Sequence, residues 1–157
     1  MASPGRIDVR DLFPAERAAL LDLLAALTDA EWFLPTVCTG WSVHDLALHL
    51  LAVDVQNLSG GRDRFGGPPE SAPTGDLSDW HTLVDDINGR NVLWVEATRR
   101  MSPRLVRDLL AFTGQQFDAY LATIDLDAVS IPVSWAAPEP APTWFHIARE
   151  YTERWVH

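Results

Sequence analysis

The chain has 157 residues, of which 47% are hydrophobic, and this predicts a single globular domain over residues 1–157 with its own core. Its formal charge of −10 produces a field that repels phosphates, so binding to nucleic acid or to an anionic membrane is not expected. The first residues hold no apolar leader and no apolar run is long enough to span a bilayer, so we expect a cytoplasmic protein.

Five segments have helical patterns, and none has a convincing pattern for a sheet. The first helix spans about Pro14 to Thr28, with leucines at helical spacing. A loop follows that contains the only cysteine, Cys38, which excludes an internal disulfide and is expected to be a small buried apolar residue. The second helix begins at Ser42, which forms a capping-box pattern with Asp45.

A long loop rich in glycine and proline, residues 59–78, separates the second helix from the third and is typical of a lid over a site. The third helix spans about Asp79 to Arg100. The fourth starts at the Ser102 cap and continues to about Ile124, and the fifth is expected to start at Thr143 as its cap. Helices of these lengths with such connections predict an all-α bundle.

The second helix is apolar nearly all round, so its polar residues are informative. At 100° per residue, Asp45, His49 and Gln56 fall on one narrow strip. A buried histidine without a partner costs on the order of 1–3 kcal/mol, so His49 needs a contact. One interpretation is a core histidine bonded to Asp45; the other is a metal ligand whose second ring nitrogen is oriented by that carboxylate.

The last helix has a predicted core stripe and a separate polar strip. The stripe contains Trp144, Ile147, Ala148, Tyr151 and Trp155, and the strip contains His146, Glu150, Glu153 and His157. Residues four apart share a helix face, so Glu153 and His157 can bind one ion or form part of a solvated surface. Two imidazoles and one carboxylate would give three protein ligands and leave one position open, as in catalytic zinc sites.

Two stretches carry a resemblance to a known family. The sequence CTGWSVHDLALHLLAVD, and much later WFHIAREYTERWVH, resembles the N-terminal domain of mycothiol-dependent maleylpyruvate isomerase, which is of the DinB-like superfamily. The similarity covers about Phe13 to His157 and implies a four-helix bundle with long connecting loops. It also implies that His49, Glu153 and His157 are the metal ligands. His44, His81 and His146 match no ligand position and are expected on helix surfaces or in loops.

The chain departs from the family pattern in two places. It has Thr39 where proline commonly precedes the Gly-Trp pair. The isomerase itself is similar to a two-domain protein in which the second domain contributes to the active site, so the natural chain is expected to continue beyond His157.

The resemblance implies an actinobacterial enzyme that uses a divalent metal, zinc being expected, and mycothiol or a similar small thiol as cosubstrate for S-transfer or isomerisation of an electrophile. Asp45 would orient His49. Asn91, on the inward stripe of the third helix, is either a substrate-binding residue or a capped surface asparagine. A homodimer is also expected from the superfamily. The alternatives are a metal-dependent hydrolase and a non-catalytic bundle that binds a metal or another ligand.

Overall fold

The computed structural model describes residues 5–68, 76, 79–132 and 140–157. Its helices are α1 (Phe13–Ala26), α2 (Val43–Gln56), α3 (Trp80–Thr98), α4 (Pro103–Leu121) and α5 (Thr143–Val156). Two short strands, β1 (Val129–Pro132) and β2 (Pro140–Pro142), pair antiparallel between α4 and α5. The predicted all-α bundle is confirmed, and all five predicted helices are present within a few residues of their expected ends.

The helix starts follow their capping residues, with one correction. Ser42 and Asp45 form the predicted capping box, and the Ser102 hydroxyl accepts a hydrogen bond from the Leu105 N–H. Thr143 was predicted to cap α5, but the helix already includes it. Its hydroxyl donates instead to the carbonyl oxygen of Ala128 at 2.9 Å. The hydroxyl that would have capped the helix therefore binds the chain before α5.

The end of α2 does not pass directly into the predicted long loop. Residues Asn57–Arg62 form a π-helical turn that continues the helix, and such turns are frequent at functional sites. Residues 69–75 and 77–78, in the second half of the predicted lid, lie outside the described residues. Short 3₁₀ turns, Arg10–Leu12 and Glu31–Phe33, precede α1 and α2.

Most of the buried hydrophobic side chains among the described residues fall into two clusters. The first lies among α1, α2, α3 and α4 and contains Leu24, Trp32, Ala47, Leu48, Leu50, Leu51, Val95, Val106 and Leu110. The second joins α5 to α1 and α4 and contains Phe13, Leu58, Phe117, Leu121, Leu126, Trp144 and Ile147. Each buried Leu, Val or Phe side chain contributes roughly 1.5–3 kcal/mol, so these clusters hold the helices together.

The predicted core stripe of α5 is only partly correct. Trp144 and Ile147 are buried, but Trp155 is 69% exposed because the last turn of α5 extends past the second cluster. The neighbouring Arg154 turns inward instead and lies over the ring of Phe117, 4.6 Å from its centroid. None of the described helices combines the length and the apolar character that a membrane span needs.

Candidate metal centre

His49 is the contribution of α2 to the candidate site. Its ring is buried, with 4% of the residue exposed, and lies 5.2 Å from the ring of Trp41. The Nε2 atom of His49 is 3.1 Å from Oε1 of Glu153 on α5. Since an ionised carboxylate only accepts hydrogen bonds, Nε2 carries the proton in this contact. The other ring nitrogen, Nδ1, is buried and has no partner among the described residues.

Glu153 and His157 come from the last turn of α5. The Nε2 atom of His157 lies 3.4 Å from the same Oε1 of Glu153 that His49 contacts. One ligand atom from each of the three residues lies within 4.8 Å of the other two. Within the described part of the chain, this is the one group of three or more His, Cys, Asp or Glu residues close enough to hold an ion.

These distances fit the size of a zinc coordination sphere. Two ligands at about 2.1 Å from a tetrahedral ion are separated from each other by about 3.4 Å. The two oxygen–nitrogen distances of 3.1 and 3.4 Å are therefore close to the separation that an ion would impose. The Nε2 atoms of the two imidazoles meet one carboxylate oxygen, and this donor set suits a metal site, so the residues fit the implied ion.

The electrostatics favour an ionised Glu153. The hydrogen bond from His49 lowers the pKa of Glu153, burial opposes this by raising it, and the nearby His157, His49 and Arg149 lower it further. The net effect is a lowered pKa, so the carboxylate stays ionised to lower pH than an ordinary glutamate does. A half-buried carboxylate beside two imidazoles can attract a cation at neutral pH.

Asp45 does not have the predicted role. Its carboxylate accepts hydrogen bonds from the backbone N–H and the hydroxyl of Ser42, both at 3.0 Å, and from Nε of Arg99 at 2.8 Å. As the third residue of α2, it points back toward the start of the helix and not toward His49, one turn later. The second nitrogen of His49 therefore lacks the carboxylate partner that we expected.

A cavity of about 650 Å³ opens beside the three candidate ligands. Asn91, the predicted substrate-binding residue, lies in its wall, as does Gln56 from the predicted polar strip of α2. Cys38, expected to be buried, is only half-buried and lies in the same wall, with its Sγ 3.8 Å from Nδ1 of His157. The remaining described lining is Thr39, Trp41, Val53, Asn57, Trp80, Val84, Ile87, Asn88, Arg149 and Glu150.

A group of charged side chains that the sequence patterns did not predict connects α5 to α2 and reaches the cavity at Glu150 and Arg149. Arg154 pairs with Asp54 of α2, and Glu150 contacts Asn57 and Arg149. Burial lowers the pKa of Arg149, an effect that the charge of Glu153 opposes. The four-residue spacing of Glu150 and Arg154 was a sequence signal that these two side chains are neighbours. Their other partners, Asn57 and Asp54, are 93 and 100 positions away in sequence, so no local pattern could indicate them.

The other histidines are not members of the ligand cluster. His44 was expected on a surface but is buried, because Trp32 and Phe33 pack on its ring and its Nε2 lies 3.0 Å from the carbonyl oxygen of Met101. His81 is exposed at the start of α3, and His146 is half-buried on α5.

Residues 13–157 match the family model for the mycothiol maleylpyruvate isomerase N-terminal domain. The chain belongs to this family. The match starts at the first residue of α1 and extends through both parts of the candidate site, so His49, Glu153 and His157 all lie inside the family domain. We found no significant match among curated proteins or among solved structures.

Proposed function

We propose that this domain is a metal-dependent enzyme that uses a small thiol, similar to mycothiol, for S-transfer to an electrophile or for its isomerisation. The observation that carries the proposal is the cluster of His49, Glu153 and His157 beside a cavity large enough for small molecules. Membership of the mycothiol maleylpyruvate isomerase family supports the choice of thiol. Zinc is the proposed ion because it binds two imidazoles and one carboxylate in known hydrolytic sites.

A bound divalent ion supplies Lewis acidity, which lowers the pKa of a thiol or water at a position that the protein leaves open. In S-transfer, the S–H bond of the thiol and a bond from carbon to a leaving group break, a carbon–sulfur bond forms, and the proton leaves with the departing group. In isomerisation, the thiol adds to a double bond and is released again after rotation, so it is regenerated.

The residues of the chain have separate tasks in this proposal. The negative charge of Glu153 would offset part of the charge of a bound ion, and His49 and His157 would hold that ion as neutral imidazoles. Trp41 packs against the ring of His49 and would hold it in place at the cavity wall. Asn91 is proposed to contact the substrate from α3, because its amide can both donate and accept hydrogen bonds in the cavity wall.

The first test is metal content. Protein purified without a histidine tag is expected to contain about one zinc ion per chain by elemental analysis, and His49→Ala is expected to contain almost none. His81→Ala is the matched control, because His81 is exposed and distant in sequence from the cluster. Equal metal content in the His49 variant and the native protein would rule out the proposed site.

The second test is turnover. Thiol consumption with mycothiol and the electrophile monochlorobimane should require metal and should stop on chelation. Loss of thermal stability on chelation without any thiol turnover would indicate a structural, non-catalytic metal site. Ester hydrolysis that needs metal but not thiol would indicate the hydrolase. Undiminished thiol transfer by metal-free His49→Ala protein would overturn the mechanism.

A further inference from the structure

Helices α2 and α5 run antiparallel, and polar side chains link them at three levels. Glu150, in the middle of α5, contacts Asn57 just after the end of α2, whereas Glu153, in the last turn of α5, contacts His49 within α2. The pairs are Glu150 with Asn57 at 3.0 Å, Arg154 with Asp54 at 2.5 Å, and Glu153 with His49 at 3.1 Å. The candidate ligands therefore lie at one end of a continuous polar contact between the two helices.

The middle pair is the most enclosed. The side chains of Arg154 and Asp54 are 10% and 5% exposed. The second carboxylate oxygen of Asp54 accepts a hydrogen bond from the hydroxyl of Thr113 on α4 at 2.9 Å, so both carboxylate oxygens have partners. The guanidinium of Arg154 also donates to the carbonyl oxygen of Glu150 at 3.2 Å and lies over the ring of Phe117.

Such a pair restricts movement in a way that apolar contacts do not. Hydrophobic packing is non-directional, whereas a buried ion pair is lost when either partner moves by a few ångströms. A slip of one helical turn displaces a residue by about 5.4 Å, which would separate Glu153 from His49. Arg154 follows Glu153 directly and precedes His157 by one turn, so fixing Arg154 also fixes both candidate ligands of α5.

We propose that Arg154 is a positioning residue, which sets the axial register of α5 on α2 through Asp54 so that Glu153 and His157 meet His49. This inference rests on the proposed metal site for its functional meaning. It predicts that the ion pair contributes to the geometry of the site separately from its contribution to folding.

The deciding variant is the double replacement Asp54→Leu with Arg154→Met. Apolar residues of similar size often replace a buried ion pair with no loss of stability, so the thermal midpoint should remain near that of the native protein. Cobalt affinity, measured by titrating the metal-free protein and following visible absorption, should fall about 10–100-fold, the range found for groups that orient metal ligands. The matched control replaces the exposed pair Asp108 and Arg104 in the same way and should bind cobalt as the native protein does.

A second readout does not depend on metal. In metal-free protein, the ring-nitrogen NMR shifts of His49 report its contact with Glu153. They should change in the double variant toward those of Glu153→Gln while the remaining spectrum stays that of a folded protein. If the native protein binds no cobalt, the metal proposal fails, but the NMR comparison still tests the register.

A milder variant covers the case in which the double variant does not fold. Thr113→Val removes one donor to Asp54 and should shift the His49 signals, and lower cobalt affinity, in the same direction by a smaller amount. A folded double variant with native cobalt affinity and native His49 signals would overturn the proposal. If only Thr113→Val folds, unchanged His49 signals in that variant would overturn it.

Discussion

The two faces of α2 differ in how they meet the rest of the bundle. The face toward α1, α3 and α4 is mostly hydrocarbon, with Leu48 and Leu51 almost completely buried in the first cluster, and Asp54 at its margin also accepts a hydrogen bond from Thr113 of α4. The face toward α5 consists of Asp54, His49 and the adjoining Asn57, each in contact with a polar side chain. The first face supplies stability, and the second supplies defined geometry.

The two buried histidines of α2 illustrate the same difference. His44, near the start of the helix, packs against aromatic rings and contacts the carbonyl oxygen of Met101. His49 leaves one buried ring nitrogen without a partner among the described residues. His44 is therefore part of the fold, whereas Nε2 of His49 meets the Glu153 carboxylate at the cavity wall, where an ion could replace the proton between them.

The largest loss of stability should follow from removing one partner of the buried ion pair on the polar face. Arg154→Met alone leaves the buried carboxylate of Asp54 without its cation, and loss of one member of a buried pair costs about 3–5 kcal/mol. Urea denaturation of metal-free protein measures this loss in the free energy of unfolding. Arg104→Met, which removes an exposed arginine, should cost no more than about 1 kcal/mol. Similar losses in the two variants would mean that the Arg154 pair is not buried in solution.

A cavity in the apolar face should lower stability without altering the site. Leu51→Ala removes a buried side chain and should cost about 2–5 kcal/mol in free energy of unfolding. Its metal affinity under native conditions should stay within about twofold of the native value, because the three candidate ligands do not depend on this contact. A large loss of metal affinity in the folded Leu51→Ala protein would show that the two faces are coupled.

Replacing the two histidines by leucine should have opposite effects in metal-free protein. His44→Leu loses a satisfied polar contact and should be destabilising by about 1–3 kcal/mol. His49→Leu removes a buried nitrogen that has no partner and should be stabilising by about 1 kcal/mol, since Glu153 is exposed enough to be hydrated. Equal destabilisation by both substitutions would mean that the buried Nδ1 of His49 has a partner in solution.

The smallest effect concerns the start of α2 and depends on pH. Burial raises the pKa of Asp45, but hydrogen bonds from Arg99 and Ser42 outweigh it and leave the pKa below its usual value. The stabilisation is therefore present above the unfolded pKa of about 3.9 and is lost as the pH falls through the lower folded pKa.

Asp45→Ala should accordingly cost about 1 kcal/mol near neutral pH, and the difference from the native protein should shrink below about pH 4. Arg99 is half exposed, which keeps its share of the effect small. Asp108→Ala, on an exposed face, serves as the control. A penalty for Asp45→Ala that is the same at low and neutral pH would contradict the ionic role.

The sequence predicts the helices well because capping boxes and apolar spacing are local signals. The spacing of Glu153 and His157 is also local, but their connection to His49 came from the family resemblance. Asp45 was assigned to His49 because the two share a helix strip, although a residue at this helix position bonds backward to its cap. Arg154 was missed because hydropathy favoured Trp155 for the core, and only the folded chain shows that Asp54 and Phe117 receive Arg154 instead.

The π-helical turn after α2 restricts how this part of the chain can vary in length. A π-turn holds one residue more than an α-turn, so deleting a residue within Asn57–Arg62 would restore α-helical geometry and rotate the following chain by about 100°. Gly61 would then leave its place beside Tyr120, where a Cβ atom would lie only 2.9 Å from the hydroxyl oxygen. An insertion or deletion here would therefore reshape the cavity wall at Asn57, whereas ordinary surface loops accept such changes.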